Sequence, residues 1–145
     1  MIKGRRLHGS VVIQNHKRIG RVEDIVLDPH TGQFQGLLIM PESGMGRRRF
    51  LPAEGIGKLA EQVYVKDKAR LLRLPAKTHS WQNFSARLQN GLKAGGEQGT
   101  ICDYYLEQNR LIGVEVSRGV IADVQHGRTF VPWSAFQGQN DAFLQ

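Results

Sequence analysis

The chain has 145 residues, of which 40% are apolar, 23% are charged and 17 are glycine; this balance excludes a disordered chain and points to one ordinary domain or two very small ones, turn-rich and built of β-structure. The single cysteine, Cys102, excludes an internal disulfide and a cysteine-built zinc site, and is expected of a reducing, cytoplasmic setting. The net charge of +7 lies wholly in residues 1–75, with 14 Lys and Arg against 7 Asp and Glu, while residues 76–145 carry 6 of each; such a basic half suggests an anionic partner, whether nucleic acid, lipid surface or acidic protein face.

The opening MIKGRRLHGS is positively charged but has no apolar run behind it, so it is not read as a secretory signal, and no run of about 18 apolar residues is present to span a membrane. Val22 to Leu27 is a short strand with β-branched residues. Asp28-Pro29-His30-Thr31-Gly32 is a turn, with proline fixing φ and glycine accepting positive φ, and Phe34 to Met40 is the returning strand of the hairpin. GRRRFLP, residues 46–52, runs three arginines into another strand with Pro52 at its edge. Two further strands are expected at Gln62 to Lys66, where Val63 and Val65 alternate with polar positions, and at Arg70 to Leu74. In PAKTHSWQNFS, residues 75–85, Trp81 and Phe84 stand three apart and Leu88 follows four later; a single helical turn either buries them against a barrel or plugs the seam between two halves.

The chain then repeats itself with a period of about 80 residues. IGRVEDIVLDPHTGQFQGLLI, residues 19–39, aligns with QGTICDYYLEQNRLIGVEV, residues 98–116. Gly20 matches Gly99, Val22 matches Ile101, Asp24 matches Asp103, Leu27 matches Leu106, Gly36 matches Gly113 and Ile39 matches Val116. The second copy turns more tightly, at Gln108-Asn109-Arg110, and Phe50-Leu51-Pro52 is answered by Phe130-Val131-Pro132.

Gly20, Val22, Asp24, Asp28, Pro29, Thr31, Gly32 and Gly36, followed by Leu51 and Pro52, resemble the PRC-barrel family. The match is good over about residues 5–74 and weaker over about 86–136, where the proline-threonine-glycine turn is missing. The resemblance implies small all-β barrels, here two in tandem, over residues 1–75 (basic) and 76–145 (more divergent). In this family such barrels form the cytoplasmic part of the photosynthetic reaction-centre H subunit and a domain of a ribosome-maturation factor. A non-enzymatic adaptor docking onto a larger assembly is therefore expected, either an RNA or ribosome contact or an acidic protein face, with the alternative of peripheral contact with a membrane-bound, reaction-centre-type complex. Phe136, Phe143 and Leu144 are expected either to hold a homo-oligomer or that partner, or to close the second barrel. Fold alone does not transfer function.

The chemistry of the side chains agrees with a non-enzyme. None of His8, His16, His30, His79 and His126 pairs with another at metal spacing, and no metal or cofactor is expected. Cys102 matches Glu23 in the first copy, which alternation puts on the face opposite Val22 and Ile101; with no base nearby it is read as structural. Asp24 and Asp103 recur at one structural point, which suits a hydrogen-bond acceptor at a turn or strand end better than paired acid and base. No nucleophile-elbow, phosphate-loop or dinucleotide glycine pattern is present; Gly44-Met45-Gly46 and Ala94-Gly95-Gly96 are loop glycines. Arg48 has a counterpart in Arg128 and is read as scaffold, paired with a carboxylate such as Asp24 or Asp103. The excess cations Arg5, Arg6, Lys17, Arg18, Arg47 and Arg49 are the candidate anion- or RNA-binding rim, if the hairpin ends carrying them converge.

Overall fold

The computed structural model describes residues 1–43, 46–76, 78–94 and 99–137. Expectations resting on Gly44, Met45, Gly95, Gly96, Phe143 and Leu144 lie outside the described residues.

The chain begins with β1 (Ile2–Lys3) and the one-turn helix α1 (Gly4–Leu7). β2 (Val11–Gln14) and β3 (Lys17–Leu27) follow, joined at Asn15-His16, both with positive φ as a two-residue hairpin turn of primed type requires. Next come β4 (Phe34–Pro41), β5 (Arg49–Pro52), a single 3-10 turn at Ala53–Gly55, β6 (Ile56–Leu59) and β7 (Val63–Val65). The second stretch holds α2 (Trp81–Ala94), β8 (Thr100–Glu107), β9 (Arg110–Ser117), α3 (Val120–His126), β10 (Thr129–Pro132) and α4 (Ser134–Gln137). Six strands form one sheet in the order β5-β4-β3-β2-β7-β6; four form the other, in the order β1-β8-β9-β10. The fold is all-β and barrel-like.

The two long hairpins share one register. Val22 faces Ile39 as Ile101 faces Val116, and Gly36 faces Pro52 as Gly113 faces Pro132. Each carries a β-bulge at the same place, between Val22 and Asp24 and between Ile101 and Asp103. The bulge shifts the alternation by one residue: Val22 before it and Ile25 and Leu27 after it join the core cluster, as Ile101, Tyr104 and Leu106 do in the second hairpin, while Asp24 and Asp103 are buried between them. Gly36 and Gly113 are glycines for a steric reason, because a Cβ at either would overlap a carbonyl oxygen of the next strand and the ring of Phe50 or Phe130.

N-terminal segments cross between the hairpins. β1 pairs with β8, Ile2 opposite Leu106, although its nearest hairpin in sequence is the first. Ser80, ahead of α2, bridges back to Val26 of β3, and the Leu27 N–H donates to the His79 carbonyl at 3.1 Å. The hairpin tips are also joined, Phe34 N–H donating to Asn109 O and Leu111 N–H to Gly32 O, each at 2.8 Å. Buried side chains from both stretches consequently form one hydrophobic cluster, from Leu7 and Val12 to Trp133 and Phe136.

α2 is the plug of the seam, and it runs 14 residues where one turn was expected. Ser80 caps it: its carbonyl accepts from Phe84 N–H at 2.9 Å and its hydroxyl oxygen from Asn83 N–H at 3.4 Å. Phe84 and Leu88 are fully buried, and Phe84 lies between Trp81 and Trp133 at ring separations of 6.1 and 5.5 Å. Farther along, the Gln89 carboxamide does the work of a missing strand. Its Oε1 accepts from Ile101 N–H and its Nε2 donates to Gly99 O, both at 2.7 Å. In the first hairpin the matching Val22 N–H donates to the Ser10 carbonyl of the chain entering β2.

Two expected strands are smaller than the sequence suggests. Gln62 to Lys66 contracts to Val63–Val65, with Val63 and Val65 buried and Tyr64 exposed. Arg70 to Leu74 is no strand of its own: only Leu72 pairs, in an isolated bridge to Phe50.

Candidate anion-binding surface and the carboxylate seats

The candidate cations fall into two places. Lys17 and Arg18 open β3, beyond the end of β4, where Pro41 faces Gly20 and Glu42 N–H donates to Ile19 O at 2.9 Å. Arg47 lies in the connection from β4 back to β5 at that same end of the sheet. Arg49 begins β5 opposite Ile39 and is half-buried. Arg5 and Arg6 sit apart from these, on α1, which packs against β8 of the other sheet. Arg6 rims an open hollow of about 490 Å³, with Ile2, Lys3, Leu59, Glu61 and Tyr105 in its walls.

Ion pairing divides them further. Arg18 Nε meets Glu42 Oε1 at 2.6 Å, and Arg5 Nε reaches Asp103 Oδ2 at 3.8 Å. Arg6, Lys17, Arg47 and Arg49 have no carboxylate partner among the described residues. The scaffold arginines do pair, but with other carboxylates than expected. Arg48 Nε meets Glu23 Oε1 at 2.9 Å, while Arg128 bonds Glu115 Oε1 at 3.1 Å and approaches Asp123 Oδ2 at 3.7 Å. Asp24 and Asp103 are unavailable to them because both carboxylates are turned inward at the bulges and are nearly fully buried.

There the two aspartates seat the starts of α2 and α1. Asp24 Oδ1 accepts from Ile25 N–H at 2.8 Å and its Oδ2 from Gln82 N–H, in the first turn of α2, at 3.1 Å. Asp103 Oδ1 accepts from Tyr104 N–H at 2.8 Å and from Arg5 N–H, in α1, at 3.0 Å. A carboxylate beside the free N–H groups of a helix start is favourable in charge as well as in hydrogen bonding. The acceptor role expected from the sequence therefore holds, at a mid-strand bulge and with a partner from the other half.

Between the seats lies His8. Its Nδ1 is 3.1 Å from the Glu23 carbonyl, which only accepts, so that nitrogen carries the proton. Nε2 lies 2.7 Å from the Tyr104 hydroxyl and 3.8 Å from Asp24 Oδ1. Burial pushes the Tyr104 phenol far above its ordinary range, and the charges of Asp24 and Asp103 add to this. The phenol is no acid at neutral pH.

On the outer face of the four-stranded sheet, Glu115 gathers three donors: the Tyr105 hydroxyl, Lys3 Nζ at 3.0 Å and Arg128 Nη1. Burial opposes its charge, but the hydrogen bonds from Tyr105, Lys3 and Arg128 outweigh it and hold the carboxyl down to about 2 from an ordinary 4.5. A folded-state value below the unfolded one gives stability that is complete above about pH 5 and is lost as pH falls toward 2. Wild-type protein is therefore expected to lose about 2 kcal/mol more stability between pH 5 and pH 2.5 than Glu115→Gln does, read from urea midpoints at the two pH values.

Little else offers chemistry. Cys102 is exposed, but its Sγ rests 3.2 Å from the Glu115 carbonyl, and burial raises its thiol above the ordinary range, against thiolate formation. In the Asp28–Gly32 turn, Asp28 Oδ1 already accepts from His30 N–H at 2.8 Å and Thr31 N–H at 3.3 Å. No group of three or more His, Cys, Asp or Glu placed to hold a metal occurs among the described residues. No described helix is long and apolar enough to cross a membrane.

Sequence reasoning missed the Glu115 cluster and the Gln89 carboxamide, which join residues far apart in the chain and leave no local pattern. No curated protein matches the chain. The PRC-barrel domain family matches residues 1–73, half of the chain and the whole of the first hairpin sheet, so the chain belongs to the PRC-barrel domain family, whose members are in general non-catalytic binding modules.

Proposed function

We propose that this protein is a non-enzymatic docking module whose first stretch binds RNA, as on a ribosomal particle, through Arg6, Lys17, Arg47 and Arg49. The observation that supports the reading is the unneutralised charge. The whole excess of +7 lies in residues 1–75, and these four cations lack a carboxylate partner among the described residues, whereas Arg5, Arg18 and Arg48 have one. Arg5 and Arg18 are accordingly secondary, and Arg6, on α1, is a phosphate contact separate from Lys17, Arg47 and Arg49 at the six-stranded sheet. The single cysteine suits a reducing cytoplasm on this reading.

We also infer that residues 1–75 and 76–145 are tandem copies that have traded their N-terminal segments. The shared register of β3-β4-β5 with β8-β9-β10, the paired bulges and the crossed aspartate seats support this.

Binding of a mixed-sequence single-stranded RNA is the test. Four phosphate contacts give a log–log salt slope of about −3, a loss of roughly 50-fold between 50 and 200 mM salt. Arg47→Ala/Arg49→Ala is expected to flatten the slope by about half. Absence of binding at 50 mM salt would overturn the RNA reading and turn the search to an acidic protein surface.

A further inference from the structure

β8, β9 and β10 match β3, β4 and β5 in register, but the outer edges of β10 and β5 differ. In the six-stranded sheet the outer edge of β5 is occupied. Phe50 N–H donates to Leu72 O and Leu72 N–H to Phe50 O, both at 2.8 Å, so the extended stretch around Leu72 completes a two-way pair. Phe130 stands where Phe50 stands, facing Glu115 as Phe50 faces Leu38. Trp133 N–H points back to β9, bonding Ile112 O at 2.9 Å, so by alternation the N–H and C=O of Phe130 point outward. Among the described residues no backbone group meets them, and the Phe130 side chain is 48% exposed.

We propose that the outer edge of β10 is a strand-docking site, taking one extended aliphatic segment of a partner protein antiparallel to β10 in a two-way backbone pair with Phe130. Arg70 to Leu74 shows the chemistry that fits, since it fills the matching edge of the same chain. A second copy is a poorer occupant: its own Leu72 segment is committed to its β5, and its β10 is a four-residue strand ending in Pro132, too short and too blunted to pair with itself. Strand addition of this kind takes affinity from backbone bonds and selectivity from alternate side chains. The site extends the docking reading to a second surface and does not depend on the arginines.

The probe is a capped peptide with the sequence of residues 68–75, KARLLRLP, titrated into the full chain while backbone amide shifts are followed. Both partners are cationic, so general charge attraction does not bring them together. Saturable shifts centred on Thr129–Val131 are expected, with slowed exchange of the Phe130 amide. Methylating the peptide nitrogen equivalent to Leu72 removes one donor and is expected to weaken binding roughly tenfold. The Arg47→Ala/Arg49→Ala variant is expected to bind the peptide unchanged, so the RNA reading and this one fail separately. The proposal is overturned by shifts confined to residues 49–52, by no saturable shift at all, or by strong protection of the Phe130 amide in the peptide-free monomer. Self-association that alone accounts for the shifts at Phe130 also overturns it.

Discussion

Phe84→Ala is expected to cost about 3–5 kcal/mol, and to cost it everywhere at once. The ring lies buried between Trp81 and Trp133, on a helix that touches β3 of one sheet and β8 of the other. Truncation leaves a cavity whose walls belong to both stretches, with bulky indoles that cannot move inward without leaving their own neighbours. Urea unfolding of the variant, followed by tryptophan fluorescence and by far-ultraviolet circular dichroism, should give one shared transition at a lower midpoint with an unchanged slope. Separate transitions for the two probes would show that the cluster spanning Leu7 to Phe136 does not act as one cooperative unit.

Asp24→Ala is the second large effect, at about 2–4 kcal/mol. Removing the carboxylate strands two buried or half-buried donors, Ile25 N–H and Gln82 N–H, and takes a negative charge from the start of α2. Asp24→Asn is expected to recover only part of the loss, because its amide group presents a donor to one of the two N–H groups it must satisfy. Hydrogen exchange offers the sharper reading. Amides in the first turns of α2 should lose protection relative to those of β9, which lies on the other sheet. Uniform loss across α2 and β9 would mean that Asp24 supports the whole fold and does not seat α2 in particular.

The hairpins were legible because each is written twice. Gly36 and Gly113, Phe50 and Phe130, Pro52 and Pro132 occupy the same register positions, and a steric need for glycine beneath a phenylalanine shows in sequence as a repeated pair. α2 was legible only at its beginning. Trp81, Phe84 and Leu88 mark a buried stripe, but Gln89, Asn90 and Gly91 break any apolar period, and Gln89 serves the edge of β8 and not the core. The bulges were invisible because one inserted residue shifts the inside–outside alternation on which strand reading depends: Glu23 and Cys102 stay opposite Val22 and Ile101 as alternation placed them, but beyond them Ile25 and Leu27, and Tyr104 and Leu106, take the core side. The placing of the excess charge was half legible. Charge counting located the excess, but the neutralisation of Arg18 by Glu42 and the seating of Arg5 at Asp103 depend on contacts between separate elements. The paired role of Asp24 and Asp103 was readable from their recurrence, whereas the identity of their partners was not.

The crossing of the N-terminal segments bears on the order of events during synthesis. Arg5 finds its carboxylate 98 positions later, and Ile2 its strand partner at Leu106. A chain growing from its N-terminus therefore presents β1 and α1 long before their seats exist, while β3 and β4 form a local hairpin as soon as they emerge. Closure waits on Asp103, so most of the polypeptide is made before its first residues can settle. During that interval two neighbouring nascent chains on one messenger have a route to pair β1 and α1 with each other's β8 in place of their own.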